Sequence, residues 1–195
     1  VVFVETRVIA SVTLDLPSLE EPARGKIVSI PDKRPPELNQ LFLLNGRYPE
    51  PGIQGEVIAS GAFAEANNLS PGAELDAVIN GKREHLRIVG IALSPEFVYE
   101  ISGGEILPDN RRNGVLWMRR SAVASAYGMT GAFNDIVLSL APGASEAQTI
   151  ERIDRILDSY GGLGAYGRSD QTSNHFITNE IKELSVTSTY IPGIF

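Results

Sequence analysis

His85 and His175 are the only imidazoles in this 195-residue chain, and cysteine is absent. His85 lies between Glu84 and Leu86 in an alternating stretch, and His175 lies beside Asn174 near a helix start. No His-x-x-x-His or Glu-x-x-His spacing sets two ligands on one helix face, so a histidine-built metal centre is not expected. Without cysteine there is no disulfide scaffold, thiol nucleophile, iron–sulfur cluster or thiolate zinc site. No Gly-x-Ser-x-Gly elbow occurs. Ser60, in Ala59-Ser60-Gly61-Ala62, comes nearest by eye and has a better use as a helix cap. Gly103-Gly104 and Gly161-Gly162-Leu163-Gly164 lack the Lys-Ser/Thr ending of a phosphate-cradling loop, and the second follows a helix instead of opening one. Glu96, Glu100, Glu105 and Asp109 gather carboxylates that could collect a calcium ion, but without the EF-hand spacing they read as a solvated loop rim. Trp117, the sole tryptophan, reads as a core or inter-lobe contact. No catalytic, cofactor-binding or metal-binding residue is therefore assigned, no cofactor is expected, and the chain is not expected to be an enzyme.

Composition narrows the partners. Seventeen Lys and Arg against 24 Asp and Glu leave a net charge of -7, the wrong sign for a general grip on nucleic acid. The one tight basic cluster is Arg111, Arg112, Arg119 and Arg120, flanked by acidic stretches. Apolar types at 43% supply enough material for a core. The 19 glycines and 12 prolines demand frequent turns and short elements. No run approaches the roughly 20 apolar residues that cross a bilayer.

The elements follow from periodicity. Val2, Val4, Thr6, Val8, Ala10, Val12 and Leu14 alternate with polar residues, predicting one long half-buried strand or two joined at a bulge, with the valines inward. A shorter strand over Lys26–Ile30 pairs back, and Pro31 to Pro36 reads as a stiff crossing between lobes. Next come a strand over Glu56–Ala59, a helix from Ser60 to Asn67, and a hairpin of Leu75–Ile79 and Leu86–Leu93 about Asn80-Gly81. Phe97–Ile101 and Val115–Met118 predict further strands, making this part mostly β, as a sheet or small barrel. Beyond it lie a short helix over Ser121–Tyr127 and a strand over Ile136–Leu140. Ser145 and Gln148 form a capping box for a helix carrying Ile150, Ile153, Ile156 and Leu157, which Gly161-Gly162 closes. A strand over Ala165–Arg168 and a last helix over Ser173–Tyr190 follow. The apolar end Ile191–Phe195 either docks into the core or marks the start of a membrane segment. The fold class expected is α+β in two lobes. A porter-like α/β lobe takes residues 1–34 and 119–195, and an inserted β-rich lobe with one short helix takes 35–118.

Several blocks carry a resemblance. Gly55-Glu56-Val57-Ile58-Ala59-Ser60, Ala64, Leu69, Gly72, Leu75 and Leu86-Arg87-Ile88-Val89-Gly90-Ile91 resemble the extracytoplasmic domain of FtsX/MacB-like ABC transporter permeases. Gly131-Ala132-Phe133-Asn134-Asp135, Tyr160-Gly161-Gly162, Arg168-Ser169-Asp170-Gln171 and Ile191-Pro192-Gly193-Ile194-Phe195 are similar to a bacterial branch of that family. The resemblance implies a periplasmic or extracellular domain anchored in the inner (cell) membrane by its parent permease. It implies a cytoplasmic ATPase, a second permease copy and a periplasmic adaptor as partners, with no nucleic acid. The function implied is relay of ATP-driven conformational change to an exported or extracted substrate or to a partner protein. The alternative is a periplasmic ligand-binding or adhesion module with an inter-lobe cleft. A deep polar cleft favours capture, and a filled joint favours relay.

Overall fold

The long opening alternation breaks at Val8, leaving β1 (Phe3–Arg7) and β2 (Ile9–Asp15) with different partners. A computed structural model describes residues 1–98, 109–171 and Asn174. The chain divides into two compact units, Val1–Ser139 and Leu140–Phe195. The first unit holds, after β1 and β2, β3 (Ala23–Ile30), β4 (Phe42–Gly46), β5 (Glu56–Ser60), α1 (Gly61–Ala66), β6 (Glu74–Ile79), β7 (Lys82–Leu93), β8 (Asn113–Arg119), α2 (Arg120–Ala126) and β9 (Asp135–Ser139). The molecule is α+β, as its patterning predicts.

Strands β4-β7-β5-β8-β3-β2-β6 pair in that order, and β6 pairs back to β7. The second pairing closes six strands into a ring, with β4 attached outside on β7. Strands β3–β8 and β5–β7 run parallel; the other neighbours are antiparallel. The expected hairpin is present: Asn80 and Gly81 take φ of 47° and 75° between β6 and β7, as a two-residue turn with both central residues left-handed requires. Inside the ring, Leu14, Ile27, Val57, Leu75, Leu86, Ile88 and Leu116 form the core with Phe63 of α1. A second layer outside it unites Val28, Ile30, Leu41, Ile58, Ala92, Val115 and Trp117. Every residue of β5 and β8 is consequently buried, which is why those strands read as continuous apolar runs and not as alternations.

Ser60 precedes α1 as expected, but its hydroxyl makes no cap bond and accepts instead from the Val115 N–H at 3.3 Å. The turn before β5 is held by Glu56, a residue 6% exposed. Arg47 donates to both of its carboxylate oxygens at 2.9 and 2.5 Å, and the Glu50 N–H donates at 2.8 Å. These bonds, that of Arg47 foremost, hold the Glu56 carboxyl below its usual range. A depressed carboxyl contributes stability that is present above its unfolded value near 4.5 and fades as pH falls through the folded one. Glu56→Gln is thus expected to flatten the acid limb of a stability-versus-pH curve below that value. An unaltered slope would show that the pair adds nothing.

β3, from the first 34 residues, pairs along its length with β8, from within 35–118. β2 likewise pairs with both β3 and β6. β1 leaves the ring and pairs antiparallel with β9, from Phe3↔Ser139 to Arg7↔Asp135. Everything from β2 to β8 is therefore intervening between two strands paired by the early and late chain.

In the second unit, α3 (Glu146–Leu157) begins at Ser145, whose hydroxyl accepts from the Gln148 N–H at 3.3 Å. A single 3-10 turn (Asp158–Tyr160) follows, and Gly161 takes φ of 80°. The expected strand over 165–168 is absent; Arg168–Asp170 is another 3-10 turn. Asp154 Oδ1 accepts from the Ala165 N–H at 2.6 Å, folding this stretch back onto α3. The expected helix over 173–190 and the apolar end 191–195 lie outside the described residues, apart from Asn174. No described helix is long and apolar enough to cross a membrane.

Candidate functional site

The inward face of β1 is charged, the reverse of what its valines suggest. Val2 and Val4 are about half exposed at 53% and 51%, whereas Glu5 and Arg7 are 7% and 8% exposed. Alternation fixes that one face turns in; the available partners decide which. Arg7 Nη1 and Nη2 donate to the Glu96 carboxylate at 2.5 and 2.8 Å, and Nε donates to Asp135 Oδ1 at 2.6 Å. Burial disfavours the charge of Arg7, but Glu96 and Asp135 outweigh it and hold the guanidinium more firmly protonated than usual. Glu96 follows β7 and Asp135 opens β9, so one side chain joins the two-stranded sheet to the ring. Glu5, two residues earlier, accepts from the Glu37 and Leu38 N–H groups at 3.0 and 3.1 Å and pairs with Arg34 at 3.1 Å.

The break between β1 and β2 is no loose hinge. The Val8 N–H donates to Ser29 Oγ at 2.8 Å, and the Ser29 N–H returns a bond to the Val8 carbonyl at 2.9 Å. Asn134 bridges the same point, accepting from the Ile9 N–H at 2.8 Å and donating to the Ile9 carbonyl at 2.7 Å.

The Pro31–Pro36 stretch leads from β3 toward β4 and is heavily tethered. Arg119, buried at the end of β8, donates to the Pro31 and Pro49 carbonyls; burial lowers its pKa. Asp32 Oδ1 accepts from the Ser121 N–H and hydroxyl at 3.0 and 2.7 Å, capping α2 from a distance. Arg120 clamps Thr6 of β1 through its carbonyl and hydroxyl. Beneath this stretch lies a cavity of about 230 Å³. Its walls include Glu5, Arg7, Arg34, Glu96 and Arg120, over a floor of Val28, Ile30 and Trp117.

Other singled-out residues go elsewhere. His85, on β7, meets Asp76 at 2.9 Å and Glu74 at 3.3 Å on the outer surface; the bond to Asp76 is the main reason its pKa is raised. Asp109 accepts from the Arg111 and Arg112 N–H groups in a turn, while Glu96 serves Arg7. Of the acidic rim only Glu96 and Asp109 are therefore placed; Glu100 and Glu105 lie outside the described residues, as do Gly103, Gly104 and His175. The four arginines also disperse: Arg112 pairs with Glu21 at 3.0 Å, and Arg119 and Arg120 enter the joint. Trp117 is 3% exposed, its ring centroid 6.2 Å from that of Phe97. Among the described residues no cluster of three or more His, Asp or Glu could hold a metal ion.

No family model matches the sequence, and no curated protein does. Solved structures do. The extracellular domain of the noncanonic ABC-type transporter YknZ from Gram-positive bacteria overlays with a TM-score of 0.51 at 17% identity, over 85% of this chain and 79% of that one. This chain has that extracellular domain's fold. The periplasmic region of MacB from Actinobacillus actinomycetemcomitans overlays with a TM-score of 0.46 at 16% identity, over 80% of this chain. The chain spans 66% of that MacB region. With the YknZ-type fold in hand, the charged joint is where the β1–β9 sheet meets the ring.

Proposed function

We propose that this chain is the extracytoplasmic domain of an ABC transporter permease subunit, and that it relays ATP-driven movement to an exported or extracted substrate or to a partner protein. Its porter-like lobe takes residues 1–34 and 119–195, and the inserted β-rich lobe takes 35–118. The parent permease is set in a bacterial inner or cell membrane, works with a cytoplasmic ATPase and a second permease copy, and meets a periplasmic adaptor. The domain performs no chemistry of its own. The observation that carries this reading is that the acid and base buried on β1 both end on partners beyond its own strand. Arg7 holds Glu96, and Glu5 holds Arg34 and the backbone at 37 and 38, so displacement of β1 pulls on the ring. The fold shared with the YknZ domain supports the same conclusion.

Capture of a small ligand is supported less well. The cavity of about 230 Å³ is smaller than the roughly 300–1,000 Å³ of ordinary ligand pockets. Its buried charges, moreover, answer one another.

The test is a Gly-Ser-Gly-Ser insertion after Gly143, in the exposed turn between β9 and α3, made in the full-length permease with its ATPase. Slack there leaves both flanking elements able to fold. Export is expected to fall about tenfold or more while ATP hydrolysis persists, the scale of a typical coupling energy. Export at the parent rate would defeat the relay.

A further inference from the structure

We propose that residues 31–40 are a strap over the cavity, latched shut by β1. Its root and its far end are held by different parts of the molecule. The root is fixed to the ring and α2: Arg119 takes the Pro31 carbonyl, and Asp32 takes Ser121. The far end is held from β1. Glu5 accepts the Glu37 and Leu38 N–H groups and pairs with Arg34. Arg7 grips Glu96, and Glu96 Oε2 in turn accepts from Asn39 Nδ2 at 2.8 Å. Two side chains on one face of one strand, two residues apart, thus command both tethers of the strap's far end.

What the strap covers differs from what holds it. Pro31, Arg34, Pro36 and Leu38 line the cavity from above, and Val28, Ile30 and Trp117 floor it. The hold is ionic and directional, so it fails over a displacement of about an ångström, because hydrogen bonds weaken steeply with distance and angle. Apolar packing, by contrast, yields gradually. A small shift of β1 relative to the ring therefore releases the strap as a unit about its fixed root and opens the Trp117 floor to water. The relay reading supplies the force that moves β1, and to that extent the latch rests on it. The latch is read on this chain alone, however, and the relay on export, so either can fail without the other.

Trp117 is the single tryptophan and 3% exposed, which makes it the reporter. The experiment measures acrylamide quenching of Trp117 and amide exchange along the chain in the parent, in Glu5→Gln and in Asn39→Ala. Glu5→Gln keeps the side chain's size and removes the charge holding two N–H groups. Exchange at 37 and 38 is expected to quicken about tenfold or more, with a matching rise in quenching, while Ile27 and Leu116 in the ring stay protected. Asn39→Ala cuts the second tether and is expected to move the same two readouts less. It also carries the test should Glu5→Gln fail to fold. Unchanged exchange and quenching in the folded variants would overturn the latch, and so would protection lost equally across the ring strands.

Discussion

Replacing Arg7 with Met is expected to cost this unit about 3–5 kcal/mol, the scale for removing one partner of a buried ion pair. Glu96 and Asp135, whose side chains are 11% and 31% exposed, would lose the guanidinium that lies between them. Desolvation without compensation is what makes the loss large. At about 2–4 °C per kcal/mol for a chain of this size, the melting midpoint should drop by roughly 6–20 °C. Removing the carboxylate as well should recover much of the loss: Arg7→Met with Glu96→Leu leaves fewer unanswered charges. Thermal and urea melts of the parent, the single and the double variant decide the matter. If Arg7→Met melts within about 1 kcal/mol of the parent, the joint is held by something other than this pair.

Phe63→Ala is expected to be as damaging, about 3–5 kcal/mol, because it empties a fully buried aromatic site inside a closed ring whose walls cannot collapse far. The site is built around a missing side chain. A Cβ on Gly114 would lie 2.8–2.9 Å from the Phe63 ring, and Gly25, its register partner on β3, stands where a Cβ would meet Leu14 and Val12 at 2.7 Å. Gly114→Ala alone should therefore cost about 1–3 kcal/mol by overpacking. Made together with Phe63→Ala it should cost less than it does in the parent, since the ring it strikes is gone. Strict additivity of the two losses in urea melts would show that the contact is not tight.

The strands of the ring were legible because their residues announce them. Asn80-Gly81 between two apolar runs predicts the β6–β7 hairpin, and the apolar stretches over 56–59 and 115–118 fall within β5 and β8. Ser145 with Gln148 marks the start of α3 in the same direct way. β4 has no such announcement: it ends on Asn45-Gly46, a pair that favours turns, and it carries a bulge against β7. The strand expected over 165–168 failed for the opposite reason: a suitable composition found no partner strand among the described residues. The candidate site was barely legible. Glu96 stood out, but as one carboxylate in a rim, and Glu5 and Arg7 looked like the solvent side of an amphipathic strand.

Local chemistry settles what local chemistry can reach. Composition excluded thiol centres, and turn and cap residues placed most elements within a residue or two, because those preferences act over a few bonds. Which lobe a strand joins, and which of its faces is buried, depend on partners far along the chain. Arg7 meets Glu96 from 89 residues away and Asp135 from 128. Period two says that β1 has two faces but is silent on whether valine or charge turns inward. Tertiary structure chose charge, since a carboxylate and a guanidinium can be buried cheaply only where complementary groups already wait.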